Sequence, residues 1–207
     1  MLIPNMIMPM DGYHYPLSTL ESFDNVNNNN NNNNNANAAT GTGTSTGMVY
    51  RRGAPDTFDS KRLMDDLSMI KRGIETFVPD FDHSIGDPIP NAFKYDPRKH
   101  VVVICEGLYL LHHEDDIDNE EHNDDTNEDN TDNDIGWNGI RDLLDFTVFI
   151  HANVDVCVQR LKIRNLCIPG YTKEEIEMRC DAVDRVNAMA VLRSRHRADL
   201  IVDSVAL

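Results

Sequence analysis

The sequence predicts an α/β protein, a parallel sheet with helices on both faces. Three observations carry the prediction. Val101-Val102-Val103-Ile104-Cys105 is a continuous apolar run bounded by polar residues, the pattern of a strand buried on both faces. Phe146–Ile150 and Leu200–Val202 are further short apolar runs. Helical patterns lie between them, and strands alternating with helices indicate a parallel sheet.

Taken in order, Leu2–Met8 reads as a short strand stopped by Pro9, and Met10–His14 as the loop at its C-terminal end. Arg51–Thr57 is a turn-rich loop whose Gly53 and Pro55 fix the backbone. Thr57, Asp59 or Ser60 can cap the next helix, which runs through Leu63, Leu67 and Ile70 and ends near Gly73. Thr76–Pro79 is a short extended piece, and Phe81–Pro88 reads as a polar loop. After the Val101–Cys105 strand, Trp137–Leu144 is a short helix, Phe146–Ile150 a strand and Val154–Leu166 a helix. Thr172-Lys173-Glu174-Glu175 matches a capping box, in which Thr and Glu each bond the other's backbone N–H. Ile176, Cys180, Val183, Asn187 and Ala190 continue one stripe of the helix it opens.

Two stretches stand apart from this pattern. Residues 25–47 are an uncharged Asn-rich run, and residues 114–134 carry twelve Asp or Glu and no Lys or Arg. Neither holds enough apolar surface to offset the entropy of ordering, so both are expected to be disordered inserts. The remaining 163 residues are enough for one core, so the chain reads as one domain over residues 1–207.

The acidic insert supplies twelve of the net −16 charges, so acidity is local and not a property of the fold. It argues against nucleic acid as a partner, because phosphate repels it. Cys105, Cys157, Cys167 and Cys180 show no CxxC spacing, which favours core packing over zinc or disulfides and fits a reducing compartment. No apolar run approaches the roughly 20 residues of a membrane span. Pro4 and Pro9 break the start and no basic residues lead it, so a signal peptide is not expected and a cytoplasmic location is.

The candidate chemistry sits at strand ends. Glu106 closes the Val101–Cys105 strand, where open α/β sheets bind ligands. Its plain alternative is to cap the next turn. Asp11 has the same setting, followed by Gly12, and is either a proton acceptor or metal ligand or an Asx-turn residue. Two acids on neighbouring strand ends suit Mg²⁺, a hard cation that prefers oxygen. Arg160 and Arg164, four apart, share one helix face and match phosphate oxygens, or form a solvated basic face. Arg51 and Arg52 beside Gly53 are placed to grip an anionic or polyhydroxyl substrate. His83 beside Asp82 is a candidate general base or a loop hydrogen-bonding residue.

These blocks carry a resemblance. Met10-Asp11-Gly12-Tyr13-His14, Arg51–Asp59, Phe81–Pro88, Glu106–Leu111 and Arg160–Arg164 occur in the order seen in the phosphoribulokinase/uridine kinase group of P-loop small-molecule kinases. The chain most resembles the fungal ATP-dependent kinases and bacterial pantothenate-kinase-like sugar kinases of that group. Their corresponding blocks read "MDGFH", "RxGxPxTFD", "FxHxxxDP" and "EGxYLL". The resemblance implies phosphoryl transfer from ATP–Mg²⁺ to a hydroxyl of a small metabolite. It implies that Asp11 activates the hydroxyl, Glu106 binds metal or water, and Arg160 and Arg164 belong to a lid that neutralises the phosphate. It places His14, Arg51, Arg52, Asp82 and His83 in substrate-facing loops.

No GxxxxGK[ST] occurs in the chain. That motif gives the family its backbone cradle for phosphates, its β/γ-phosphate lysine and its Mg²⁺-binding hydroxyl. In the group it lies on a central first strand upstream of the "MDGFH" block, between the strands that match Val101–Cys105 and Phe146–Ile150. The fold is therefore expected to lack that strand. The chain by itself is expected to fold poorly or aggregate, and to bind ATP weakly or not at all. Saturable ATP binding at micromolar affinity would contradict this. The alternative reading is a non-catalytic remnant that binds a partner or metabolite. The acceptor and the oligomeric state cannot be read from the residues.

Overall fold

A run of β-branched residues extends as strand β4 (Val102–Glu106), and it lies parallel to the first strand of the chain, β1 (Asn5–Pro9), in register from Asn5 opposite Val102 to Pro9 opposite Glu106. The computed structural model describes residues 5–31, 47–113, 136–167 and 170–204. A 3-10 turn (Met10–Tyr13) follows β1 and leads into α1 (Leu17–Asn31). Then come α2 (Ser60–Lys71), β2 (Thr76–Asp82), β3 (Asp87–Tyr95) and β4. The second half holds α3 (Ile140–Leu143), β5 (Val148–His151), α4 (Val154–Asn165), α5 (Lys173–Arg179), a π-turn (Cys180–Asp184), α6 (Arg185–Arg193) and β6 (Leu200–Asp203).

The α/β class is as expected, but among the described residues the strands form three two-stranded units: β1–β4 parallel, β2–β3 antiparallel and β5–β6 parallel. The β2–β3 hairpin differs from the reading of Thr76–Pro79 as a short piece and Phe81–Pro88 as a loop. Pro79 sits where the register shifts between Val78 and Asp80, and Pro88 and Pro90 lie in β3. Proline cannot donate to a ladder and is confined to edges and bulges, which is why these strands look like loop in sequence. Helix α1 also runs beyond the expected start of the Asn-rich insert at residue 25, to Asn31, beginning just after Pro16, whose carbonyl accepts from Thr19 and Leu20. Most of the rest of that insert and the whole acidic insert fall outside the described residues.

Local signals explain the other helices. The Asp59 side chain accepts from the Arg62 N–H and caps α2. Thr172 and Glu175 form the complete capping box of α5. Asn153 caps α4 by accepting from Asp155 and Val156. One core joins Met6, Met8, Met10, Tyr13, Phe58, Leu63, Leu67, Val78, Tyr109, Trp137 and Ile140, and a second joins Val158, Ile176 and Cys180. All four cysteines are free; Cys180 is buried, whereas Cys167 is exposed and outside any core.

Strand β4 is not buried on both faces. Ile104 is 50% exposed, and Ile150 on β5 is 73% exposed. Among the described residues β4 pairs only with β1 and β5 only with β6, so each has one unpaired edge. Edges of this kind, flanked by Val102, Ile104, Val148 and Ile150, are templates for other chains. The purified chain is expected to associate as its concentration rises. Light scattering that stays monomeric from low to high micromolar concentration would contradict this.

Candidate active site

The pairing of β1 with β4 sets the geometry of the site. Pro9 and Glu106 are opposite each other, so Asp11, in the turn after β1, and Glu106 emerge at the same C-terminal end of two adjacent parallel strands. Two glycines make the approach possible. A Cβ on Gly107 would lie 2.3 Å from the Met10 Cβ, and one on Gly12 would lie 2.8 Å from the Pro79 carbonyl. Both exceed what packing tolerates. The turn carrying Asp11 is thus pressed between the β4 end and the β2 backbone.

Electrostatics record the same proximity. The Glu106 carboxyl is pushed above the ordinary glutamate range, first by partial burial and second by the negative charge of Asp11. A cation between the two would relieve that repulsion. The pair therefore fits Mg²⁺, which is held by one or two carboxylates and otherwise by water and phosphate oxygens. Asp11 and Glu106 would hold it, and the ion would supply positive charge to neutralise phosphate. No group of three or more His, Cys, Asp or Glu able to enclose a metal occurs among the described residues, so the pair would be an open site.

Around the acids lies a ring of aromatic and basic groups. His14 Nδ1 is 2.9 Å from the Asp11 carbonyl oxygen, and its ring lies 3.8 Å from Phe58 and 5.2 Å from Phe81 between centroids. Phe81 also meets the His83 ring at 5.0 Å and the Arg52 guanidinium at 5.4 Å. Burial holds the His14 imidazole below its ordinary value, only partly countered by Asp11. Because unfolded His14 takes up its proton at higher pH, stability is retained above the ordinary histidine range and is lost as pH falls through it. Urea midpoints at pH 7.5 and 5.5 should differ more in the native sequence than in His14→Gln. Equal pH sensitivity of the two would contradict a buried, neutral His14.

Several expected contacts are occupied within the chain. Arg51 pairs with Asp56 at 2.5 Å. Arg52 pairs with Asp87 at 3.2 Å and donates to the backbone carbonyls of Gly86 and Tyr15. Asp82 accepts from both the N–H and the hydroxyl of Ser84, which holds its carboxyl down and makes it a turn-forming residue. His83 is exposed. The side chains of Arg160 and Arg164 lie exposed on α4 with no ion pair or hydrogen bond among the described residues, and nothing links them directly to Asp11 or Glu106. The neighbouring Lys162 is tied to Asp181 at 2.7 Å.

The loop that bears Arg51 and Arg52 is fixed by residues that sequence reasoning passed over. The Tyr109 hydroxyl donates to the Gly53 carbonyl at 2.6 Å, and Trp137 Nε1 donates to the Pro55 carbonyl at 3.2 Å. Arg179, itself paired with Asp184, donates to the Arg52 carbonyl at 2.9 Å. It lies immediately before the π-turn, a distortion frequent at functional sites. Asp87 and Phe81 were within a recognised block, but nothing in that block marked which side chains would face Arg52.

Comparison with known proteins bears on the fold and the family. The Schizosaccharomyces pombe protein C227.14, which carries a uridine kinase name, is 26% identical over 205 residues, 97% of this chain and 70% of its own length. An ATP-dependent kinase-like protein of Aspergillus versicolor is 33% identical over 108 residues, covering 49% of this chain, and the chain spans 50% of that protein. The fold resembles YFH7 of Saccharomyces cerevisiae, with a TM-score of 0.66 at 19% identity, covering 98% of this chain and 59% of the other. The model of the Phosphoribulokinase / Uridine kinase family matches residues 18–207. The chain belongs to that family.

Proposed function

We propose that this chain contributes the acceptor side of an ATP-dependent phosphotransferase acting on a hydroxyl of a small metabolite. The observation that carries the reading is the convergence of Asp11 and Glu106 at the ends of paired parallel strands. Asp11 accepts the proton of the acceptor hydroxyl as its oxygen attacks the γ-phosphorus. The bond from that phosphorus to the ADP oxygen breaks, and the proton stays on the Asp11 carboxylate until solvent takes it. Asp11 and Glu106 together would hold Mg²⁺, which would supply positive charge to neutralise the phosphates. His14, Arg51, Arg52, Asp82 and His83 shape the acceptor pocket, and Arg160 and Arg164 neutralise charge on the transferring phosphate. Such catalysis is positioning and electrostatic stabilisation, and the protein needs no covalent chemistry of its own.

A second reading has its own support. GxxxxGK[ST] is absent from these residues, so they offer no backbone cradle of that kind for a triphosphate. A binding protein using only the acceptor pocket would need none. A screen of hydroxylated metabolites by ATP consumption separates the two. Consumption that depends on one acceptor supports the phosphotransferase. Acceptor binding without consumption supports the binding protein.

A further inference from the structure

We propose that Arg179 is a positioning residue: it ties the loop bearing Arg51 and Arg52 to the helices that carry Arg160 and Arg164, so that acceptor and phosphate groups stand in fixed relation. What those parts do rests on the phosphotransfer reading. The tie itself stands on contacts within the chain.

The chain has two hydrophobic cores. Tyr13, Phe58, Tyr109 and Trp137 belong to the first, which holds the Arg51–Thr57 loop, and Val158, Ile176 and Cys180 form the second. The second makes one body of α4, α5 and the π-turn. Two ion pairs reinforce it: Lys162 of α4 with Asp181 of the π-turn at 2.7 Å, and Arg185 with Asp155 at 2.6 Å. Lys162 lies midway between Arg160 and Arg164 in the helix, so a displacement of the π-turn carries both arginines with it. Neither arginine is linked directly to Asp11 or Glu106, and their placement comes through the body that bears them.

Arg179 connects that body to the first core's loop. Its Nη1 faces both oxygens of Asp184, at 3.2 and 3.3 Å, and its Nη2 donates to the Arg52 carbonyl at 2.9 Å. A guanidinium is planar with fixed N–H directions, so the two contacts set an angle as well as a distance. Asp184 closes the π-turn, and the receiving residue, Arg52, is a junction. The Arg52 side chain donates to the Gly86 and Tyr15 carbonyls and pairs with Asp87. Tyr15 in turn donates its N–H to the Thr57 carbonyl at 3.0 Å. The segment after Asp11, the β2–β3 turn and the Arg51–Thr57 loop therefore meet at one residue, and Arg179 adds the arginine-bearing helices to them. Val191 of α6 also packs against the first core, so the two bodies stay joined when Arg179 is replaced. What is lost is their alignment.

Contiguous contacts count as coupling only if disturbing one end disturbs the other. The test does this in the full chain. Asp87→Asn keeps an oxygen for the Leu17 N–H, which Asp87 accepts at 2.9 Å, and removes the charge facing Arg52. In the native sequence it should shift the α4 amide resonances and the Nε resonances of Arg160 and Arg164. Arg179→Met keeps the aliphatic stem and removes every donor. In that background Asp87→Asn should leave those resonances in place. Asp184→Asn added to Arg179→Met removes the carboxylate left unpaired, and is read in the same way if the single variant fails to fold. Shifts of equal size with and without Arg179, or none in either background, would overturn the proposal. Kinetics give a second readout. Arg179→Met should lower kcat by about tenfold or more, since misplacing a group by about 1 Å can cost about a hundredfold. Added to Arg160→Gln with Arg164→Gln, it should cost less than about twofold further, because it acts through those side chains. Costs that simply add, or a kcat unaffected by Arg179→Met, would also overturn the proposal. Shifts that require Arg179 in a chain that consumes no ATP with any acceptor would retire the phosphotransfer reading and leave the tie standing.

Discussion

Asp11→Ala should lower kcat by about 10²- to 10⁴-fold in the active enzyme, the range that general acid–base catalysis supplies. ATP affinity should stay largely intact, because the role proposed for Asp11 is on the acceptor, with Glu106 as the other proposed metal ligand. The side chain is not part of the core: Asp11 is half-buried, and the packing of its turn comes from Met10, Gly12 and Tyr13. The substitution should therefore leave the melting temperature nearly unchanged while activity falls. It removes the charge that raises Glu106, so any pH dependence set by the acidic pair should move as well. Steady-state kinetics with ATP and acceptor varied separately provide the check. A fall of less than tenfold in kcat would remove Asp11 from the chemistry.

Trp137→Ala has the largest expected effect on stability. Trp137 is fully buried, meets Tyr109 at 5.5 Å and Phe58 at 6.0 Å between ring centroids, and donates to the Pro55 carbonyl. Truncating a buried Trp costs about 3–5 kcal/mol. That is a large share of the roughly 5–15 kcal/mol that holds a domain together. Chemical denaturation should show a midpoint far below that of the native sequence, or no cooperative transition. Trp137→Phe retains most of the packing and loses the hydrogen bond, at a cost of about 1 kcal/mol. Its effect should reach the acceptor first, because Pro55 belongs to the loop that presents Arg51 and Arg52. If Trp137→Ala unfolds at the native midpoint, the core described around it is wrong.

The parts of this molecule legible in sequence are those written in local chemistry. Asp59 and Thr172 declare helix starts through their own side chains: Thr172 caps as read, and Asp59 is the one of the three candidates Thr57, Asp59 and Ser60 that caps α2. The strands around Ile104 and Ile150 are visible as apolar runs. Their exposure is not, because burial depends on which strands lie beside them, a tertiary property. The hairpin was hidden by Pro79, Pro88 and Pro90, which suggest loop wherever no partner strand is known.

The same division runs through the site. Asp11 and Glu106 were legible because each ends a strand, and the parallel register brings them together. Arg51 and Arg52 looked free to grip an anionic or polyhydroxyl substrate because their counter-charges are elsewhere in the chain. Asp56 is five residues from Arg51, but Asp87 is thirty-five from Arg52. Tyr109, Trp137 and Arg179, which hold the loop, act through backbone carbonyls and leave no pairwise signature in composition.

The convergence of Asp11 and Glu106 is tested most directly by titrating the Glu106 carboxyl through its ¹³C resonance, in the native sequence and in Asp11→Asn. The account predicts a pKa above the ordinary glutamate value in the native chain. In the variant it should fall but not reach that value, since burial remains when the neighbouring charge is gone. A Glu106 titration indifferent to Asp11 would mean that the two carboxylates do not share a site.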